Sequence, residues 1–132
     1  MYHWTHQVDK YKLKIVGDGK EKENLKNLVD KFNAKNYIKF TDAIYEEDKL
    51  GALFIEADML VSPGNVGLNA IHSLSYGTPI LTHNNLINQM PEHEAIIENF
   101  NGIFHKEDNA KSIMNKLEEW FSISKSKNLR IK

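Results

Sequence analysis

The chain has 132 residues, enough for one domain with its own hydrophobic core, and it contains no cysteine. That excludes a disulfide scaffold, a cysteine zinc site and a thiol nucleophile. With 17 basic and 18 acidic residues the formal net charge is −1, so nothing points to non-specific nucleic-acid binding.

Short apolar runs alternate with helical spacing along the chain, the pattern of an α/β domain with a mainly parallel sheet. Leu13-Lys14-Ile15-Val16 reads as a strand ending at Gly17-Asp18-Gly19. Leu25, Leu28, Val29 and Phe32 then fall at i, i+3, i+4 and i+7, one face of a helix. Tyr37-Ile38-Lys39-Phe40 is a second strand. Leu50, Leu53, Phe54 and Ala57 repeat the helical spacing after an acidic turn, Glu46-Glu47-Asp48, that suits the positive end of a helix dipole. Met59 to Ser62 is a third strand and Ile80 to Thr82 a fourth. Pro91 suits a first helical position, with Glu92 and Glu94 behind it. Asn101-Gly102 is a turn signal before a fifth strand at Ile103-Phe104. Asp108 is placed to cap a last helix whose face is Ile113, Met114, Leu117, Trp120 and Phe121. No repeat or linker interrupts the series, so residues 1–132 read as a single domain, with a basic tail at 122–132.

No apolar run approaches the roughly 18 residues a membrane helix needs. The first residues, Met1 to His6, lack the basic and apolar blocks of a signal peptide. The expectation is a cytoplasmic protein without a transmembrane segment, whose basic tail is the one feature suited to peripheral membrane contact.

The richest stretch is Ser62-Pro63-Gly64-Asn65-Val66-Gly67-Leu68, followed by Gly77-Thr78-Pro79-Ile80-Leu81. A strand, a tight glycine loop and a helix, in that order, present free backbone N–H groups and the positive end of a dipole to one spot. That spot suits a phosphate or diphosphate. Gly64 and Gly67 permit close backbone approach. A helix opening at Asn65 puts Asn65, Asn69, His72 and Tyr76 on one stripe, either solvated or turned to a ligand. Asn65 also fits as the helix N-cap. His3, His6, His83, His93 and His105 show no metal-ligand spacing and read as surface residues.

Six pieces in order resemble one known family: Leu13 to Gly19, Ile38 to Phe40, Ala57 to Pro63, Gly67-Leu68, Gly77-Thr78-Pro79 and Asn101-Gly102. Together they are similar to the donor-binding, C-terminal domain of retaining glycosyltransferases with the glycosyltransferase-B fold, of the group 1 or family 4 type. The resemblance implies a Rossmann-like parallel sheet with helices on both faces, half of a glycosyltransferase-B fold, lacking its first strand and helix. The N-terminal acceptor domain is missing too. The absent strand belongs between those ending at Val16 and Ser62. Five parallel strands remain, those two either paired directly or flanking a gap.

The resemblance further implies transfer of a hexosyl group from a nucleoside-diphosphate sugar to an acceptor hydroxyl, in glycan or polysaccharide biosynthesis. It implies neither a metal nor a cofactor. The donor-binding positions carried over are Gly17; Asp42, Ala43 and Ile44 in a base-contacting loop; Gly64, Asn65, Val66, Gly67 and Leu68 in the glycine loop; Asn69 and His72 on the helix; and Glu94, with Glu92 competing for its place. The two glutamates that the family carries fall on Gly64 and His72. Any group acting on the acceptor hydroxyl belongs to the missing domain, so this chain alone should bind a donor without turning it over. Two other readings stay open: a sugar-nucleotide epimerase on the same fold, and a non-catalytic nucleotide-binding or assembly module.

Overall fold

The computed structural model describes residues 11–126, which form two compact units, one ending at Glu46 and the other beginning at Glu47. His3, His6 and the tail beyond Ser126 lie outside the described residues.

In the first unit, β1 (Leu13–Val16) and β2 (Ile38–Thr41) run parallel, Leu13 opposite Ile38 and Val16 opposite Thr41. The helix α1 (Lys22–Lys31) joins them. It ends where Asn33 turns left-handed at φ 53°, letting the Ala34 N–H reach the Val29 carbonyl at 2.9 Å. That closure satisfies a carbonyl the helix itself leaves open. Val29, Ala34 and Ile38 form the core, with Ile15, Tyr37 and Phe40 packed against it. The helical face expected from the spacing is buried only at Val29; Leu25 and Leu28 remain exposed.

The second unit contains α2 (Glu47–Glu56), β3 (Leu60–Ser62), α3 (Leu68–Ser75), β4 (Ile80–His83), a 3-10 turn (Pro91–Ala95), β5 (Gly102–His105) and α4 (Ala110–Ser126). Its sheet is parallel in the order β3-β4-β5. Every residue of the central strand β4 is buried, as a strand covered on both faces requires. Successive β4 residues serve opposite cores. Ile80 packs with Val66, Ala70 and Ile96 on the α3 face, and Leu81 packs with Ile103 and Trp120 on the α4 face. Gly102 opens β5 because the backbones approach closely there: a Cβ would sit 2.6 Å from the Ile80 carbonyl oxygen.

The parallel α/β expectation therefore holds in both sheets. Four local expectations change. The helix read from Asn65 starts at Leu68, with Gly67 as its N-cap, so Asn65 is outside the helix and its stripe. Pro91 opens only a five-residue 3-10 turn. Asp108 stands left-handed at φ 52°, and Asn109 instead caps α4, accepting the Ser112 N–H at 2.8 Å. Of the tail read as 122–132, the part up to Ser126 is helical.

Candidate functional site

The glycine loop leaves β3 at Ser62 and reaches α3 at Leu68. Side chains from β4 and the segment after it hold the loop in place. The Thr82 hydroxyl donates to the Gly64 carbonyl at 3.1 Å. The carboxamide of Gln89 does three things at once: Oε1 accepts the Val66 N–H at 3.0 Å, and Nε2 donates to Thr82 Oγ1 at 2.9 Å and to the His83 carbonyl at 3.2 Å. Val66 is thereby drawn into the core at 1% exposure. At the start of α3, the Gly67 N–H donates to the Asn69 carboxamide at 2.9 Å.

This corrects the picture of a loop whose amides are all free. Val66 and Gly67 already have internal acceptors, because a buried or capped N–H left unpaired is costly. At the helix start the N–H groups of Leu68 and Asn69 have no acceptor among the described residues, being in the first turn, where an α-helix has no carbonyl to offer. The Leu68 side chain is largely exposed.

His83 and His105 are both buried at 1% exposure, against their reading as surface residues. They stand opposite each other in the β4–β5 register. His83 Nε2 lies 2.8 Å from Asn65 Oδ1, and its Nδ1 accepts the Asn85 N–H at 3.2 Å. Asn85 in turn donates to Glu107 Oε2 at 2.6 Å. His105 bonds the Lys106 carbonyl through Nδ1 at 2.7 Å, while its Nε2 is buried without a partner among the described residues. His93 bonds the Met90 carbonyl at 2.9 Å on the 3-10 turn.

Of the remaining stripe, Asn69 is exposed and His72 and Tyr76 are partly covered. The Phe54 ring of α2 lies 6.5 Å from the His72 ring and stacks on Tyr76 at 6.0 Å. The Tyr76 hydroxyl donates to Glu47 at 2.9 Å, which pushes its pKa above 10.0. This side of α3 is a seam with α2. On the 3-10 turn Glu94 is exposed, whereas Glu92 is partly buried and its Oε2 is enclosed without a hydrogen-bond partner.

In the first unit the loops after β1 and β2 meet through charge. Asp18 accepts the Ala43 N–H at 3.0 Å, and Lys22 bridges Asp18 at 3.1 Å and Asp42 at 2.9 Å. The Ala43 bond, with Lys22 adding to it, holds the Asp18 carboxyl below its ordinary 3.8. Asp42, and then Asp18, raise the Lys22 ammonium above 10.5. Asp42, Ala43 and Ile44 thus stand beside the Gly17-Asp18 turn, where Gly17 takes φ 143°. Sequence reasoning passed over Lys22, Gln89 and Thr82, the side chains that fix these loops. The i, i+4 spacing of Asp18 and Lys22 was the one available signal.

Residues 3–132 match the family model of the glycosyl transferases group 1. The chain belongs to that family. No curated protein matches it. Among solved structures it is similar to the sucrose-phosphate synthase (tll1590) from Thermosynechococcus elongatus, at 21% identity and a TM-score of 0.72 over 84% of this chain and 29% of that one. Anabaena Alr3699/HepE in complex with UDP-glucose gives 13% identity and a TM-score of 0.72 over 95% of this chain and 36% of that one. The pneumococcal O-GlcNAc transferase GtfA in complex with UDP and GlcNAc gives 12% and 0.69, over 98% and 25%. The chain therefore spans about a third or less of the length of each. These neighbours have the glycosyltransferase-B fold, and the likeness identifies this chain's architecture as part of a Rossmann-like half of it.

Proposed function

We propose that the chain is the donor-binding part of a retaining glycosyltransferase moving a hexosyl group from a nucleoside-diphosphate sugar to an acceptor hydroxyl. The observation that carries this reading is the pinned glycine loop at the start of α3, with the Leu68 and Asn69 N–H groups open, in a chain of this family. The UDP-glucose and UDP complexes of the Anabaena and pneumococcal structures support it. Transfer breaks the bond between sugar C1 and the diphosphate oxygen, whose electron pair stays on the diphosphate. The acceptor oxygen bonds to C1 and loses its proton to the departing diphosphate or to a base outside this chain. Open N–H groups and the positive end of α3 stabilise the charge gathering on the leaving group more than they stabilise the ground state.

The acceptor domain, a metal-independent reaction, a role in glycan or polysaccharide synthesis, and a cytoplasmic site with peripheral membrane contact complete the proposal. Base contact falls to the Asp42–Ile44 turn. The Ala43 N–H is already taken by Asp18 and the Asp42 carbonyl by the Thr41 hydroxyl, so the carbonyls of Ala43 and Ile44 are the groups available to a base.

Calorimetric titration with UDP and UDP-glucose tests the reading. A Cβ at position 67 would meet nothing within 4 Å, so Gly67→Val obstructs a ligand without crowding the fold. It should weaken binding by about tenfold or more. Wild-type affinity in that variant, with an unchanged circular dichroism spectrum, removes the helix start from the site.

A further inference from the structure

Residue 65, in the middle of the glycine loop, is tied at four points. The Gly64 carbonyl before it accepts from Thr82 at 3.1 Å, and the Val66 N–H after it donates to Gln89 at 3.0 Å. Its own carbonyl accepts from Ser62 Oγ at 3.5 Å. Its side-chain oxygen meets His83 Nε2 at 2.8 Å.

The polarity of that last bond follows from the other ring nitrogen. The Asn85 backbone N–H faces His83 Nδ1 at 3.2 Å and can only donate. Nδ1 therefore carries a lone pair and Nε2 carries the proton. The atom facing Nε2 must accept, so it is the carboxamide oxygen of Asn65. Its nitrogen, with two N–H donors, has no partner among the described residues, and Asn65 is exposed. The relay extends one step back, because Glu107 holds the Asn85 side chain at 2.6 Å.

We infer that His83 is a positioning residue that fixes the Asn65 carboxamide so that its two N–H donors read the oxygen atoms of a nucleoside-diphosphate sugar; this rests on the donor reading above. Ordering a surface asparagine costs rotamer freedom that one intramolecular bond barely offsets. Here a fully buried imidazole, with both nitrogens committed, orders an exposed side chain by bonding its carboxamide oxygen. The amide nitrogen is left with two N–H donors, which suit phosphate and hydroxyl oxygens.

Two arms test this on the 132-residue chain. Without ligand, long-range 15N–1H spectra should show His83 as the Nε2–H tautomer and the Asn65 amide as two resolved protons. The pair should collapse to the position of a free side chain in His83→Ala and persist in His83→Gln, which keeps a donor. Unchanged Asn65 resonances in His83→Ala overturn the pairing, whether or not a nucleotide binds. With UDP-glucose as probe, Asn65→Asp keeps an acceptor for His83 but loses both donors, and it should weaken binding about tenfold or more. His83→Ala should weaken it similarly, and in the Asn65→Ala background it should add nothing further. Multiplying losses in the double variant, or wild-type affinity in Asn65→Asp, overturn the ligand role. If the wild-type chain binds neither UDP nor UDP-glucose, the donor reading falls and the ligand role falls with it, while the spectra still decide the pairing.

Discussion

In the unit ending at Glu46 the loops after β1 and β2 are joined at the surface by Asp18, Lys22 and Asp42. In the unit starting at Glu47 the loops after β3 and β4 are joined by neutral groups, Thr82, Gln89 and His83. The strands differ in the same sense. Leu13 and Val16 of β1 are at least 39% exposed, whereas β4 of the second unit is buried throughout. Exposed ion pairs contribute little and weaken with salt, while enclosed neutral bonds leave costly orphan groups when one partner is removed. The second unit's loop is built into its core, and the first unit's loop depends on the solution around it.

The widest gap should appear in the cores. Leu81→Ala empties a position between Ile103 and Trp120 and should cost about 2–5 kcal/mol, read by urea unfolding through Trp120 fluorescence. Leu28→Ala, at a half-exposed site, should stay within about 0.5 kcal/mol. Equal losses would erase the contrast. Next comes Gln89→Ala, which strips the Val66 N–H and the Thr82 hydroxyl of a partner and should cost about 1–3 kcal/mol. That loss should not change with added salt, and faster Val66 amide exchange should accompany it. A loss that shrinks at high ionic strength contradicts a neutral clamp.

Much of this was legible from residue spacing. Period-2 and period-3.6 patterns give the five strands and the helices, and parallel pairing follows from helical connections between strands. The burial of His83 and His105 was missed, although each stands two residues past Leu81 and Ile103, on the same face of the sheet. The start of α3 was not legible. Residues 64–66 are kept out of the helix by side chains at 82, 83 and 89, partners 18 or more residues away that no local propensity reveals. Gln89 carries no motif at all; only its three bonds show its part.

The charged clasp of the first unit should respond to pH and salt with a smaller effect on the molecule. Asp18 has a depressed pKa, so its contribution is present above 3.8 and is lost as pH falls through the lower folded value. Lys22 is raised, so its contribution is full below 10.5 and fades only as pH climbs through the higher folded value. The Ala43 amide signal should therefore hold steady on acidification to pH 3.8 and move below it. In Asp18→Asn the acid transition should vanish, and high salt should shift the wild-type midpoint upward. A midpoint at or above 3.8 in low salt would mean the clasp does not hold the carboxylate in solution.

The smallest effect is expected at His72, and it bears on how much of the family's donor recognition persists here. The resemblance carries this position over as donor-binding. In the structure its ring lies 6.5 Å from Phe54, on the side of α3 where Tyr76 stacks on the same ring and bonds Glu47. A side chain engaged in that seam has less to give a ligand than Asn65, which is exposed and held by His83. We expect His72→Ala to change UDP-glucose affinity by less than about threefold and to lower stability by about 0.5–1 kcal/mol through lost ring packing. His72→Phe separates the two roles, since it keeps a ring against Phe54 and removes both nitrogens. Restored stability with near wild-type affinity would place this residue in the α2–α3 seam. Restored stability with a tenfold weaker complex would instead return His72 to the donor, and the ligand would then be read from the helix as well as from the loop.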